Sequence, residues 1–104
     1  MKEAQIRKKF KEAYPKDEIW FAPKVKWKAE SDIFGVFDAV MWSTTGIISF
    51  WQLTTLSNIS ARRKKIKARI NNKKFGCSVF VAGWNKKKKI FKIIKINAGN
   101  YFPA

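Results

Sequence analysis

Apolar positions along this chain switch between a helical period and a strand period, and each switch marks an element. Ile6, Phe10 and Ala13 fall about one turn apart among charged residues, which predicts an amphipathic helix over residues 2–13, ended at Tyr14-Pro15. Residues 18–27 read as a strand. Pro23 places it at an edge or breaks it, and Val25 and Trp27 alternate with Lys24, Lys26 and Lys28. Residues 33–42 and 47–55 are nearly continuous apolar runs joined by the polar turn Ser43-Thr44-Thr45-Gly46, which predicts two strands buried on both faces near the centre of a sheet. Gly35 interrupts the first of them and is expected to mark a bulge or a close backbone approach. Ser57, Asn58 or Ser60 can cap a helix running to about Ile70, with Ile59, Ala61, Ile66 and Ile70 as its narrow apolar stripe and Asn71-Asn72 as its stop. Strands at 76–84 and 89–96 follow, joined by a turn at 85–88, and residues 97–104 form an irregular tail. Helix, three strands, helix and two strands make an α/β sandwich around a mixed sheet. The second helix gives a crossover long enough for parallel pairing.

Polar groups inside the apolar runs are the exception to this pattern. Asp38 closes Asp32-Ile-Phe-Gly-Val-Phe-Asp38, and Gln52 and Thr54 interrupt Ile47-Ile-Ser-Phe-Trp-Gln-Leu-Thr-Thr55. A period of two puts Gln52 and Thr54 on one face, and an adjacent antiparallel strand can bring Asp38 onto it. A buried carboxylate is costly unless it is paired or metal-bound. Asp38 is therefore expected either to meet one of the 23 lysines and arginines or to ligate a metal.

Composition adds limits. With 104 residues the chain makes one domain, residues 1–104, and its 46% hydrophobic content with five Trp and nine Phe supplies a core. Trp42, Trp51 and Trp84 are expected in that core or at an interface, and Cys77 as a small core residue. One cysteine excludes an internal disulfide, and the lack of histidine argues against zinc. No run approaches the roughly 18–20 apolar residues of a membrane span, and the first residues lack the apolar centre of a secretory signal. An intracellular protein is expected.

Charge changes the picture further. All seven acids lie between Glu3 and Asp38, where nine basic residues leave net +2, whereas Ala39 to Ala104 carries fourteen basic residues and no acid. Such a concentration calls for a polyanion. Nucleic acid is preferred over an anionic membrane surface, because the cations interleave with strand patterns instead of forming one amphipathic anchor. Arg62, Arg63, Lys64, Lys65, Lys67 and Arg69 on the second helix are expected to contact phosphate, with Lys86, Lys87 and Lys88 as a second arm.

The element order, Asp38 on the second strand and Gln52-Leu53-Thr54 on the third resemble the PD-(D/E)XK nuclease superfamily, which includes restriction endonucleases and small Holliday-junction resolvases. Ala61-Arg62-Arg63-Lys64-Lys65-Ile66 adds to the likeness, which covers roughly residues 1–84. The resemblance implies a restriction-endonuclease-like αβββαββ fold, a central mixed sheet flanked by helices. It also implies a magnesium (or manganese) site and metal-assisted hydrolysis of DNA phosphodiesters. Asp38 matches the motif Asp, Gln52 stands at the Glu position, Thr54 stands at the Lys position, and Glu3 matches the early helical Glu. Asp38, Gln52, the Leu53 carbonyl and Glu3 are then the implied metal ligands, and Asp38, Gln52, Thr54 and Glu3 the implied catalytic set.

The departures have physical content. Magnesium prefers hard oxygens and usually two carboxylates. Gln52 offers a neutral oxygen, so a second charge must come from Glu3, Glu30 or Asp32. Thr54 brings no cation, a lack that Lys64 or Lys65 could make good. No element looks like a base-reading module, which favours recognition of DNA shape and backbone. A two-fold dimer suits a four-way junction with two equivalent scissile strands. The expected function is a structure-selective, metal-dependent DNA endonuclease. The alternatives are an inactive nucleic-acid-binding protein on the same fold and a basic accessory or membrane-surface protein.

Overall fold

The computed structural model describes residues 3–23, 32–70 and 76–96. Met1 and Lys2, the second half of the expected first strand with Glu30, the Asn71-Asn72 helix stop and the 97–104 tail lie outside the described residues. The elements are α1 (Glu3–Ala13), β1 (Glu18–Phe21), β2 (Ala39–Trp42), β3 (Ile48–Thr55), a 3-10 turn (Leu56–Asn58), α2 (Ile59–Ile70), β4 (Ser78–Asn85) and β5 (Ile90–Lys95). The strands form one mixed sheet in the order β1-β2-β3-β4-β5. Neighbours are antiparallel except β3 and β4, which pair in parallel through the α2 crossover. The expected α/β architecture with a mixed sheet is present. No helix among the described residues is long and apolar enough to cross a membrane.

Strand alternation divides the core in two. Trp51 and Leu53 of β3 join Ala39, Met41, Ala82 and Trp84 against Ile6 and Phe10 of α1. Phe10 is the hub, with its ring 4.9 Å from Trp51, 5.2 Å from Tyr14 and 5.8 Å from Phe91. Burial, and then the Asp17 carboxylate, hold the Tyr14 phenol above its ordinary pKa. On the opposite face Val79 and Val81 of β4 pack with Ile66 and Ile70 of α2 and with Val36 and Phe37.

The run 33–42 corrects the expectation of one long strand. Only Ala39–Trp42 pairs as a strand. Phe34 (φ 53°) and Gly35 (φ 76°) lie in the left-handed region and reverse the chain, so that Ile33 and Phe37 face each other in an isolated bridge. Gly35 marks a turn, not a bulge, because a positive φ costs glycine little. The Arg69 guanidinium fixes this turn by donating to the Phe34 carbonyl at 3.0 Å.

Burial on both faces holds for the middle of β3 but fails for β2. α2 lies over β3 and β4 and leaves the β1–β2 half of that face open, so Trp42 is 55% exposed and Trp20 58% exposed. Trp42 is therefore not a core residue within this chain, whereas Trp51 and Trp84 are. Cys77 is half-buried, outside both core clusters. At the start of α2, the Asn58 side chain donates to Thr55 Oγ1 at 3.1 Å, tying the 3-10 turn to the end of β3.

Gly83 sets how closely that turn approaches the sheet. An added Cβ would collide with the Ile59 side chain and stand 3.2 Å from the Leu56 Cα. Alanine at an ordinary strand glycine gains about 0.5–1 kcal/mol from reduced backbone freedom. Here overpacking reverses the sign, and Gly83→Ala should lose about 2 kcal/mol of stability in urea unfolding.

Candidate functional site

The site arises because β3 outruns β2. The antiparallel register ends at Ala39 opposite Trp51, and β3 continues for four more residues to Thr55. Just beyond the last pair the ladder loses its register: the Asp38 N–H donates at 2.8 Å to the carbonyl of Trp51, the residue already paired with Ala39. The Asp38 side chain nevertheless meets the Gln52 side chain directly and lines one cleft with Gln52 and Thr54.

The side chains close the arrangement. Asp38 Oδ2 accepts from Gln52 Nε2 and from the Leu53 N–H, each at 2.8 Å. Asp38, Gln52 and Thr54 are 1%, 3% and 5% exposed. Burying a charge this deeply needs strong compensation, and charge-assisted hydrogen bonds provide part of it. An extended residue sends its N–H and C=O to the same side, so the Leu53 carbonyl also faces past the end of β2. The other amide atom of Gln52, Oε1, is buried with no hydrogen-bond partner.

Residues invisible as a group in the sequence position this centre. Ala22 donates its N–H to the Asp38 carbonyl at 2.8 Å, and its own carbonyl accepts from Arg7 Nη1 at 2.8 Å. The same guanidinium lies 3.8 Å from Glu3. Arg7 thus ties the first turn of α1 to the strand end that carries Asp38. No local pattern signals that link.

A cleft of about 240 Å³ opens over these groups, lined by Glu3, Asp32, Asp38, Gln52, Leu53, Thr54, Thr55 and Arg62 among others. Glu3 and Asp32 therefore reach the same cavity as Asp38. Lys64 and Lys65 correct an expectation: both are exposed on α2 and neither lines the cleft. Arg62 does. Helical phase explains the difference, since Arg62 falls three after Ile59 and four before Ile66, on the stripe that faces the sheet. Arg63, Lys67 and Arg69 are likewise exposed, as are Lys86, Lys87 and Lys88 in the β4–β5 turn.

Chemically, the cleft offers hard oxygen donors around one buried carboxylate, with an arginine at its wall. Among the described residues no group of three or more His, Cys, Asp or Glu is placed to hold a metal ion. A divalent cation here would need neutral oxygens to complete its shell. Gln52 Oε1 supplies a buried oxygen still lacking a partner, and this donor set fits a hard cation such as magnesium. Comparison of the chain with models of protein families, with curated proteins and with solved structures found no match.

Proposed function

We propose that this chain is a metal-dependent DNA endonuclease with a restriction-endonuclease-like fold, selective for branched DNA and acting as a homodimer. The observation that carries the reading is the constellation at the open end of the β2–β3 hairpin: Asp38, bonded to Gln52 Nε2 and the Leu53 N–H, lines one cleft with Gln52, Leu53, Glu3 and Arg62, and Gln52 Oε1 is buried without a partner. Asp38, Gln52 Oε1, the Leu53 carbonyl and Glu3 would hold the metal. When bound, magnesium or manganese supplies Lewis-acid charge neutralisation at the scissile phosphate. Arg62 orients the phosphate with fixed donors, taking the place of the cation that Thr54 lacks. Thr54 shapes the wall beside Gln52. The open apolar surface around Trp20 and Trp42 supports a subunit contact.

A second reading has its own observation. Gln52 Nε2 already satisfies Asp38 Oδ2, which is the arrangement expected of a chain that keeps the fold and binds nucleic acid without cutting it. Incubation with four-way, single-stranded and duplex DNA in magnesium, manganese or chelator separates the two. The first reading expects cleavage that requires metal and prefers the branched substrate. Tight binding with no product in any metal would leave the binding protein.

A further inference from the structure

The cleft does not end at Thr55. Thr55 also lines a neighbouring concavity of about 510 Å³, whose floor is largely apolar and whose far wall carries Trp84 and Lys86 to Lys88. Leu56 and Ser57 line that concavity and a third one, of about 560 Å³, which holds Ser60, Arg63, Lys88 and Lys92. Three cavities thus share walls in sequence, from Asp38 around the 3-10 turn to the face of β5.

Local structure explains this furrow. Gly83 lacks a side chain, so Ile59 settles onto β4 and the 3-10 turn lies low against the sheet. Lys92 is the register partner of Gly83 on β5 and sits on the same face, beside the start of α2. Arg63, four residues after Ile59 and three before Ile66 on α2, enters from the helix side. Cations from three separate elements therefore flank one path with two serine hydroxyls on it. No acidic residue occurs after Asp38 in the sequence to neutralise them. Lys64, Lys65 and Lys67 contribute to none of the three cavities.

We infer that this furrow is the path of one nucleic-acid strand leaving the cleft, with Arg63, Lys88 and Lys92 contacting successive phosphates and the apolar floor near Leu56 accepting a sugar or base. The inference rests on the nucleic-acid reading above and adds the route to it. Cations beside an apolar floor suit a polyanion with apolar faces between its charges. Ser57 and Ser60 donate to phosphate oxygens without fixing sequence.

The test compares two triple variants of equal charge in chelator, with fluorescent single-stranded and four-way DNA at several salt concentrations. Arg63→Ala/Lys88→Ala/Lys92→Ala removes the path. Lys8→Ala/Lys16→Ala/Lys95→Ala removes three exposed cations outside it. All six positions are exposed, and circular dichroism checks that both variants fold. The path variant should bind at least about tenfold more weakly than the control, with its salt slope reduced by about two to three, the value expected for three lost phosphate contacts. Equal losses in the two variants would overturn the path and leave diffuse charge as the cause of binding, with the proposed endonuclease activity untouched. Absence of binding by the wild-type protein would overturn both.

Discussion

Replacing Asp38 with alanine is expected to remove both DNA cleavage and a large part of the folding stability. Its Oδ2 holds two buried donors, Gln52 Nε2 and the Leu53 N–H, each at 2.8 Å. Alanine leaves both donors without that acceptor, and the residues that carry them are buried. Each unsatisfied buried donor costs about 1–3 kcal/mol, partly offset by removal of a buried charge. A net loss of about 3 kcal/mol in urea unfolding is expected from these terms. Asp38→Asn separates chemistry from structure. Its amide oxygen can accept from Leu53, and a flipped Gln52 can turn Oε1 toward the new amide nitrogen. The asparagine variant should therefore keep most of the stability and still bind DNA in chelator. Its cleavage should fall on the order of 10³-fold, as when a directly acting polar group is deleted. Wild-type cleavage rates from Asp38→Asn would sink the proposed role of the carboxylate.

Gln52→Glu is expected to produce the second large effect, with a sign that depends on metal. The new carboxylate would stand within hydrogen-bond distance of Asp38 at a position only 3% exposed. Two buried like charges cannot both ionise cheaply, so the pair retains a proton to higher pH than a free carboxylate. The folded variant then binds more protons than its unfolded chain, whose glutamate titrates near pH 4.3. Linkage requires stability relative to wild type to fall as pH rises above that value and to recover as pH drops through it. In chelator at pH 8 the deficit should reach several kcal/mol. Magnesium reverses it, because a divalent cation neutralises the pair, and saturation at 100 times the dissociation constant adds about 2.7 kcal/mol. Thermal unfolding across pH, with magnesium or with chelator, reads both arms. If magnesium leaves the variant's melting temperature unchanged, the cleft is not a metal site.

Much of the architecture was legible because it follows from spacing. Ile6 and Phe10 one turn apart mark α1, and Ile59, Ile66 and Ile70 mark α2, because a 3.6-residue period admits one buried stripe. The period of two placed Gln52 and Thr54 on one face, and the adjacent strand end brought the Asp38 side chain to Gln52. The misreadings have physical causes. Residues 33–37 are as apolar as a strand, and composition does not show that Phe34 adopts a positive φ. Trp42 has the character of a core residue, yet its exposure is decided by how far α2 extends over the sheet. Lys64 and Lys65 looked as available to the cleft as Arg62 in a run of cations. Only the phase set by Ile59 and Ile66 separates Arg62 from those two lysines. Arg7 and Ala22 support Asp38 through two hydrogen bonds that join distant segments, and such a link leaves no periodic trace.

The bond from the Leu53 N–H to Asp38 Oδ2 also bears on how the chain avoids misfolding. Both arms of the β2–β3 hairpin are rich in large apolar side chains, so a pairing shifted by one residue would still bury them, but on the wrong faces. A shift takes Asp38 away from Gln52 Nε2 and the Leu53 N–H, leaving a buried charge without those two bonds. The carboxylate therefore acts as a proofreader of strand alignment, tolerating one pairing and penalising its neighbours. Chains lacking it should populate slipped hairpins during refolding, whatever becomes of their chemistry.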